Sequence, residues 1–210
     1  MRTKLTLIAA IFIMAALQIK AQTIGLQVGA TISSFKNSAP INKPGLGLMA
    51  GVFYEKRIKQ SNFYLQPALN YQMLVGYGEV TYYNQINEEV LSYQKQQTLH
   101  QVQVPINLRW IFKEKEKYAL SFTGGLNYAY LLQARQNPQP EGISHNITSD
   151  LKRHVLGAQV GLMYSYQMEN NRLFNIAYEY QHNLTPINNN QSGYATHTIK
   201  LGLAFSSIKK

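Results

Sequence analysis

Along most of this chain apolar and polar residues alternate with a period of two. The longest run sets Val102, Val104, Ile106, Leu108, Trp110 and Phe112 against Gln101, Gln103, Asn107 and Arg109. Successive side chains of a strand point to opposite faces, so this run predicts a strand with one greasy face and one wet face. The same dyad recurs from Ile24 to Ile32, Leu46 to Tyr54, Phe63 to Tyr71 and Tyr118 to Tyr128. It returns from Leu156 to Tyr164, Phe174 to Tyr180 and Ile199 to Phe205. Eight strands of about 10 to 12 residues follow, the length that crosses a bilayer at a tilt.

The connections alternate in length. Short ones are expected at Ile58 to Asn62, Lys113 to Lys117 and Met168 to Arg172, and long ones at Ser33 to Pro44, Gly76 to Gln97, Arg135 to Arg153 and Asn183 to Ala195. Up-and-down transmembrane barrels have tight periplasmic turns and longer outer loops in this order. The predicted fold is therefore an all-β, eight-stranded antiparallel up-and-down transmembrane β-barrel, with both termini on the periplasmic side. Aromatic residues gather near strand ends, as membrane interfaces favour. Tyr54, Phe63, Trp110, Phe112, Tyr118, Tyr166, Phe174 and Phe205 are assigned to the periplasmic girdle, and Tyr71, Tyr128, Tyr130, Tyr178, Tyr180 and Tyr194 to the outer one.

Ahead of the strands, Arg2 and Lys4 precede an apolar run from Leu5 to Leu17, with Ala21 as a small residue at the expected cut. About 13 apolar residues are too few for a spanning helix, so residues 1–21 are expected to be a cleaved secretory signal and 22–210 the barrel domain. The formal charge is +10, of which Arg2, Lys4 and Lys20 leave with the signal, so the mature chain carries +7. An exported protein rarely meets nucleic acid, so anionic lipid or lipopolysaccharide phosphate is the expected counter-charge. There is no cysteine, which removes disulfides, thiolate metal ligands and thiol nucleophiles from consideration.

Three stretches resemble a known family. Lys43-Pro-Gly-Leu-Gly-Leu-Met-Ala-Gly51 is similar to its second-strand opening, Tyr64-Leu-Gln-Pro-Ala-Leu-Asn-Tyr71 to its third strand, and Leu99 to Trp110, with Val104-Pro-Ile-Asn-Leu-Arg109 inside it, to its fourth. The family is the outer-membrane β-barrel domain of Bacteroidetes-type bacteria, often called PorT-like. Ala68 departs from the pattern, which usually has glutamate there. The resemblance implies a barrel accessory to secretion or envelope integrity. Lys200, Gly202 and Phe205 are similar to the last-strand insertion signal of such barrels, although Ser206 to Lys210 follow.

An eight-stranded lumen is narrow enough to be filled by side chains, so a general diffusion pore is not expected. Four charges fall on the wet face: Glu55, Arg109, Glu179 and Lys200. Glu179 and Lys200 are expected to pair across adjacent strands, and Glu55 and Arg109 to join an internal polar network, because a buried charge without a partner is costly. Pro67 and Pro105 lie within strands, where each removes a ladder donor, so a bulge or local deviation is expected at each.

Catalytic signatures are thin. His100, His145, His154, His182 and His197 all lie in or beside outer loops. His154 and His197 could meet above the barrel with Ser144, Ser149 or Ser192 as nucleophile and Asp150 or Glu141 as orienter, but no spaced motif surrounds them. Asn146-Ile-Thr148 and Asn183-Leu-Thr185 match a glycosylation pattern that means little in a bacterial envelope. The expectation is no enzyme, no cofactor and no metal. Lys36, Lys43, Lys95, Arg135, Lys152 and Arg153 form a candidate rim facing lipopolysaccharide phosphates. Expected partners are outer-membrane lipid, lipopolysaccharide and envelope proteins met through outer loops or periplasmic turns, with the barrel itself a monomer. A lipid-modifying enzyme and a soluble lipocalin-like carrier are the alternatives.

Overall fold

A computed structural model of the chain describes residues 22–36, 41–83, 89–139, 145–169, 172–188 and 193–206. The expected signal at residues 1–21 lies outside them, as do Glu141, Ser144 and Ser192. The strands are β1 (Gln22–Lys36), β2 (Ile41–Arg57), β3 (Phe63–Tyr83), β4 (Glu89–Glu114), β5 (Tyr118–Gln139), β6 (His145–Asn146), β7 (His154–Gln167), β8 (Arg172–Asn183) and β9 (Gly193–Ser206). Every ladder is antiparallel and joins consecutive strands, except that β5 pairs with β7 past the short β6 and β1 also pairs with β9. That last ladder closes eight strands into a barrel without an edge. The two-residue β6 only adds to the flank of β5.

The alternating faces are those the dyad implies. Leu46 is 65% exposed and Leu126 63%, whereas Gln101 is 2% and Arg109 3%. In a soluble protein this would be inside out; in a bilayer it is the ordinary solution. One end carries three tight turns and both described termini. There the Ile58 amide donates to the Phe63 carbonyl, Lys115 to Tyr118 and Met168 to Arg172, each at 2.8 Å. The opposite end carries the long connections.

β1 to β5 run well past the expected 10 to 12 residues, whereas β8 keeps to 12. β3 and β4 continue to Tyr83 and from Glu89, taking up most of the stretch expected as the Gly76 to Gln97 loop, and β5 reaches Gln139. Strand ladders satisfy backbone groups above a membrane as well as within it, so a hairpin need not end where its apolar face does. The apolar alternation marks the membrane span; it does not mark the strand ends.

Neither proline brings a bulge. Between β3 and β4 the ladder lapses from Pro67↔Ile106 to Asn70↔Gln103 and resumes in the same register. Between β2 and β3 it lapses from Phe53↔Ala68 to Lys56↔Leu65, again without a shift. The local deviation is thus a gap, since losing one donor breaks a bond without adding a residue. The register shifts lie elsewhere, near Pro44, Gln101, Lys113 and Tyr83.

In the first tight turn, Lys59 has φ of 50°, the left-handed region that a β-carbon disfavours. Lys59→Gly should therefore stabilise the folded barrel by about 0.5–1 kcal/mol, or leave it unchanged, measured as the urea midpoint of folding into vesicles.

Candidate functional site

The lumen is filled in layers. Nearest the turns, Arg109 on β4 donates through Nη1 to Glu55 Oε1 and Oε2 on β2 at 2.9 and 2.8 Å. Its Nε reaches Ser121 Oγ on β5 at 2.9 Å and its Nη2 reaches Ser165 Oγ on β7 at 2.8 Å. Gln66 Nε2 on β3 donates to Glu55 Oε2 at 3.3 Å. One guanidinium thus ties strands from across the barrel. Its planar fork serves a carboxylate and two hydroxyls at once, which an ammonium could not match geometrically. Beneath it a cavity of about 240 Å³ opens toward the turns, lined by Glu55, Tyr64, Arg109, Lys115 and Tyr118 among others.

At mid-barrel, Lys200 Nζ on β9 lies 2.6 Å from Glu179 Oε2 on β8, both side chains largely buried. Gln159 Nε2 donates to the same carboxylate oxygen at 3.0 Å and to Asn107 Oδ1 at 2.9 Å. Asn127 Nδ2 donates to Gln159 Oε1 at 3.2 Å. A space of only about 10 Å³ adjoins the pair. Across the lumen Phe53 faces Ala68, the position where the resembling family usually carries glutamate. A β-carbon on Gly25 would collide with the Phe53 ring, so an apolar side chain fills this side where a further charge would need a partner.

Above lies a ladder of amides. Gln72 Oε1 accepts from Gln101 Nε2 at 2.9 Å and from Gln103 Nε2 at 2.5 Å, and Gln103 Nε2 also reaches Gln181 Oε1 at 3.3 Å. Tyr194 Oη donates to Gln101 Oε1 at 2.9 Å. Tyr194, assigned to the outer girdle, therefore points inward at 1% exposure; it shares parity with Thr196, Thr198 and Lys200, which a count along β9 would have revealed. The other thirteen girdle aromatics sit on the outward face, half-buried or exposed.

The lumen is not polar throughout. At the loop end Phe35, Leu74, Leu99, Leu131, Val155, Ile187 and Tyr194 form a buried apolar cluster, with Ile147 and Leu151 packed against it. Two loops supply the cover, joined where the Lys152 amide donates to the Ile187 carbonyl at 2.7 Å. Sequence periodicity could not reveal this cap, because Ile147, Leu151 and Ile187 lie outside any alternating run.

The candidate rim divides. Lys43, Arg135, Lys152 and Arg153 are exposed. Lys95 is half-buried on the inward parity of Gln97 and Leu99, off the lipid-facing side. Lys36 ends β1 opposite Gly193, and its side chain lies outside the described residues. Arg153 Nη1 donates to Tyr130 Oη at 3.2 Å.

His154 and His197 are not brought together. β8 lies between their strands, and each imidazole is held by a different tyrosine: Tyr128 Oη lies 2.5 Å from His154 Nδ1 and Tyr178 Oη 2.6 Å from His197 Nδ1. Tyr71 Oη is likewise 2.6 Å from His100 Nδ1. Ser149 Oγ donates to Asp150 Oδ1 at 3.1 Å, not toward a histidine. Among the described residues no cluster of three His, Asp or Glu side chains could hold a metal.

With a closed barrel, apolar outside and polar within, comparison with known proteins becomes decisive. Residues 20–189 match the outer membrane protein beta-barrel domain. The chain belongs to that family. As an outer-membrane β-barrel it crosses the membrane with strands, and its faces are the reverse of a soluble carrier's. No curated protein matches the chain. Among solved structures the barrel is similar to Neisserial surface protein A, at 12% identity and TM-score 0.54, over 89% of this chain and 99% of that one. It is similar to a major outer membrane protein from Thermus thermophilus, at 8% identity and TM-score 0.54, over 88% and 98%. A third is OprG from Pseudomonas aeruginosa, at 13% identity and TM-score 0.46, over 88% and 96%. At these identities the likeness is one of fold.

Proposed function

We propose that this outer-membrane barrel is a closed, non-catalytic structural or interaction protein, accessory to secretion or envelope integrity. The observation that carries the reading is the stacked filling of the lumen: a salt-bridged layer, a second one at mid-barrel, an amide ladder, and an apolar cap beneath two joined loops. Side chains engaged with one another at each described level of the lumen support a barrel closed to solutes. The purified barrel in planar bilayers should give no stable open channel; a reproducible conductance larger than a small leak would overturn the closed reading.

In this reading residues 1–21 are removed on export, the turns and termini face the periplasm, and the barrel works as a monomer among PorT-like proteins of Bacteroidetes-type bacteria. The resembling stretches fall on β2, β3 and β4, where Glu55 and Arg109 are also carried. Tyrosines hold three of the candidate histidines, which argues for interface rather than nucleophilic chemistry. Partners are outer-membrane lipid and lipopolysaccharide around the strands, and envelope proteins at the loops or turns. Crosslinked pull-down from intact cells identifies the latter; recovery of the barrel alone at every crosslinker length would count against an interaction role.

A further inference from the structure

We propose that the tyrosine–histidine pairs at the loop end are stations for the phosphate groups of outer-leaflet glycolipid, the strongest being Arg153, Tyr130 and His154. The inference deepens the reading above and rests on its orientation, with the loop end in the outer leaflet. The motivating observation is one arrangement made three times. His100, His154 and His197 stand directly opposite Met73, Tyr130 and Tyr180, and in each case Nδ1 bonds the tyrosine two residues deeper on the neighbouring strand: Tyr71, Tyr128 and Tyr178. Three of the four long hairpins are closed on their outward face in this way, and the β1–β2 hairpin is not.

The repeated offset fixes what each imidazole can do. A phenol that donates to Nδ1 places the ring proton on Nε2, and among the described residues no hydrogen bond is made by Nε2 in any of the three. With the phenol as the donor, each pair offers one N–H donor at the aromatic belt, the depth at which glycolipid phosphates lie. Tyr130 also packs edge-on against His154, with ring centroids 5.3 Å apart, and receives Arg153 Nη1. That station joins an imidazole fixed by Tyr128 to an exposed guanidinium whose Nη1 is anchored on Tyr130. A second station forms where His100 faces Gln133; with the Gln133 amide turned so that its oxygen meets Arg135, that oxygen accepts from Nε and Nη2 at 3.1 and 3.2 Å. The third, at His197 with Tyr178 and Tyr180, has no described arginine and should be the weakest. No carboxylate is hydrogen-bonded to any of these groups among the described residues. Donors and cations without a carboxylate partner fit a phosphate, and guanidinium is the natural binder of one.

The test is native mass spectrometry of the folded barrel in detergent, titrated with bisphosphorylated lipid A or its dephosphorylated form. The wild type should bind the bisphosphorylated lipid about tenfold more tightly, and Arg153→Gln combined with His154→Phe should remove most of that preference. Lys113→Gln at the turn end, with both lipids, should keep it. Equal affinity of the wild type for both lipids overturns the stations whether or not the double variant folds, as does an undiminished preference in a folded double variant. Orientation is checked separately by labelling a cysteine placed at Asp150 in intact cells with a membrane-impermeant maleimide. Labelling without phosphate preference overturns the stations alone, and absence of labelling overturns the orientation and the stations together.

Discussion

Lys200→Met is expected to cost the folded barrel about 3–5 kcal/mol, the usual consequence of leaving one half of a buried ion pair behind. The ammonium lies 2.6 Å from Glu179 Oε2, and once it is removed the carboxylate keeps, among the described residues, only the 3.0 Å bond from Gln159. The adjoining space of about 10 Å³ is at the lower limit for a single water, so solvent replaces little of what is lost. Methionine fills much of the lysine stem's volume, which confines the change to charge. Urea unfolding in vesicles, followed by heat-modifiable gel migration, measures it. Adding Glu179→Gln to Lys200→Met should recover at least half of the loss, since two neutral side chains carry no unpaired charge. A double variant no more stable than Lys200→Met would place the cost in packing instead.

Arg109→Leu is expected to fall in the same range, about 3–5 kcal/mol, but below Lys200→Met. It strands Glu55 and frees Ser121 and Ser165 from the fork. Yet Gln66 still donates to Glu55, and the cavity of about 240 Å³ beneath lets water approach the carboxylate from the turn end. Relief by solvent is what separates the two sites, because desolvation dominates the cost of an unpaired charge. The same unfolding measurement ranks them. If Arg109→Leu proved the more costly, the guanidinium's bracing of β4, β5 and β7 would outweigh solvent access.

The two sites also show why four charges can sit inside a barrel this narrow. Each layer pairs one acid with one base and adds amide or hydroxyl partners around it, so the lumen is close to neutral at each level. Ala68 fits this arrangement. A glutamate facing Phe53 would be a third acid with no third base at its level of the lumen among the described residues.

How much of this was legible beforehand follows from the physics of a strand. A period of two is a local property, so Val102 to Phe112 disclosed its own lipid face, and the same parity put Glu55, Arg109, Glu179 and Lys200 on the inner wall. Alternating connection lengths added the topology. Glu179 and Lys200 could be matched because they flank one hairpin and their heights follow by counting. Tyr194 is the exception among the aromatics: its place near a strand end suggests the girdle, while its parity turns it into the lumen.

Closure supplied what local pattern could not. The partners of Arg109 come from strands separated by as many as 56 residues in sequence, and nothing local encodes which hydroxyl stands opposite across a lumen. The apolar cap depends on Ile147, Leu151 and Ile187, loop residues whose burial exists only once two connections fold over the same mouth. The three tyrosine–histidine pairs depend on register between hairpin strands, which the long loops leave free until the ladders form. Alternation, written residue by residue, is enough to specify a membrane barrel and the side chains that face into it. Which of those side chains meet is settled on folding, because meeting across a closed sheet depends on register and curvature that involve the whole chain at once.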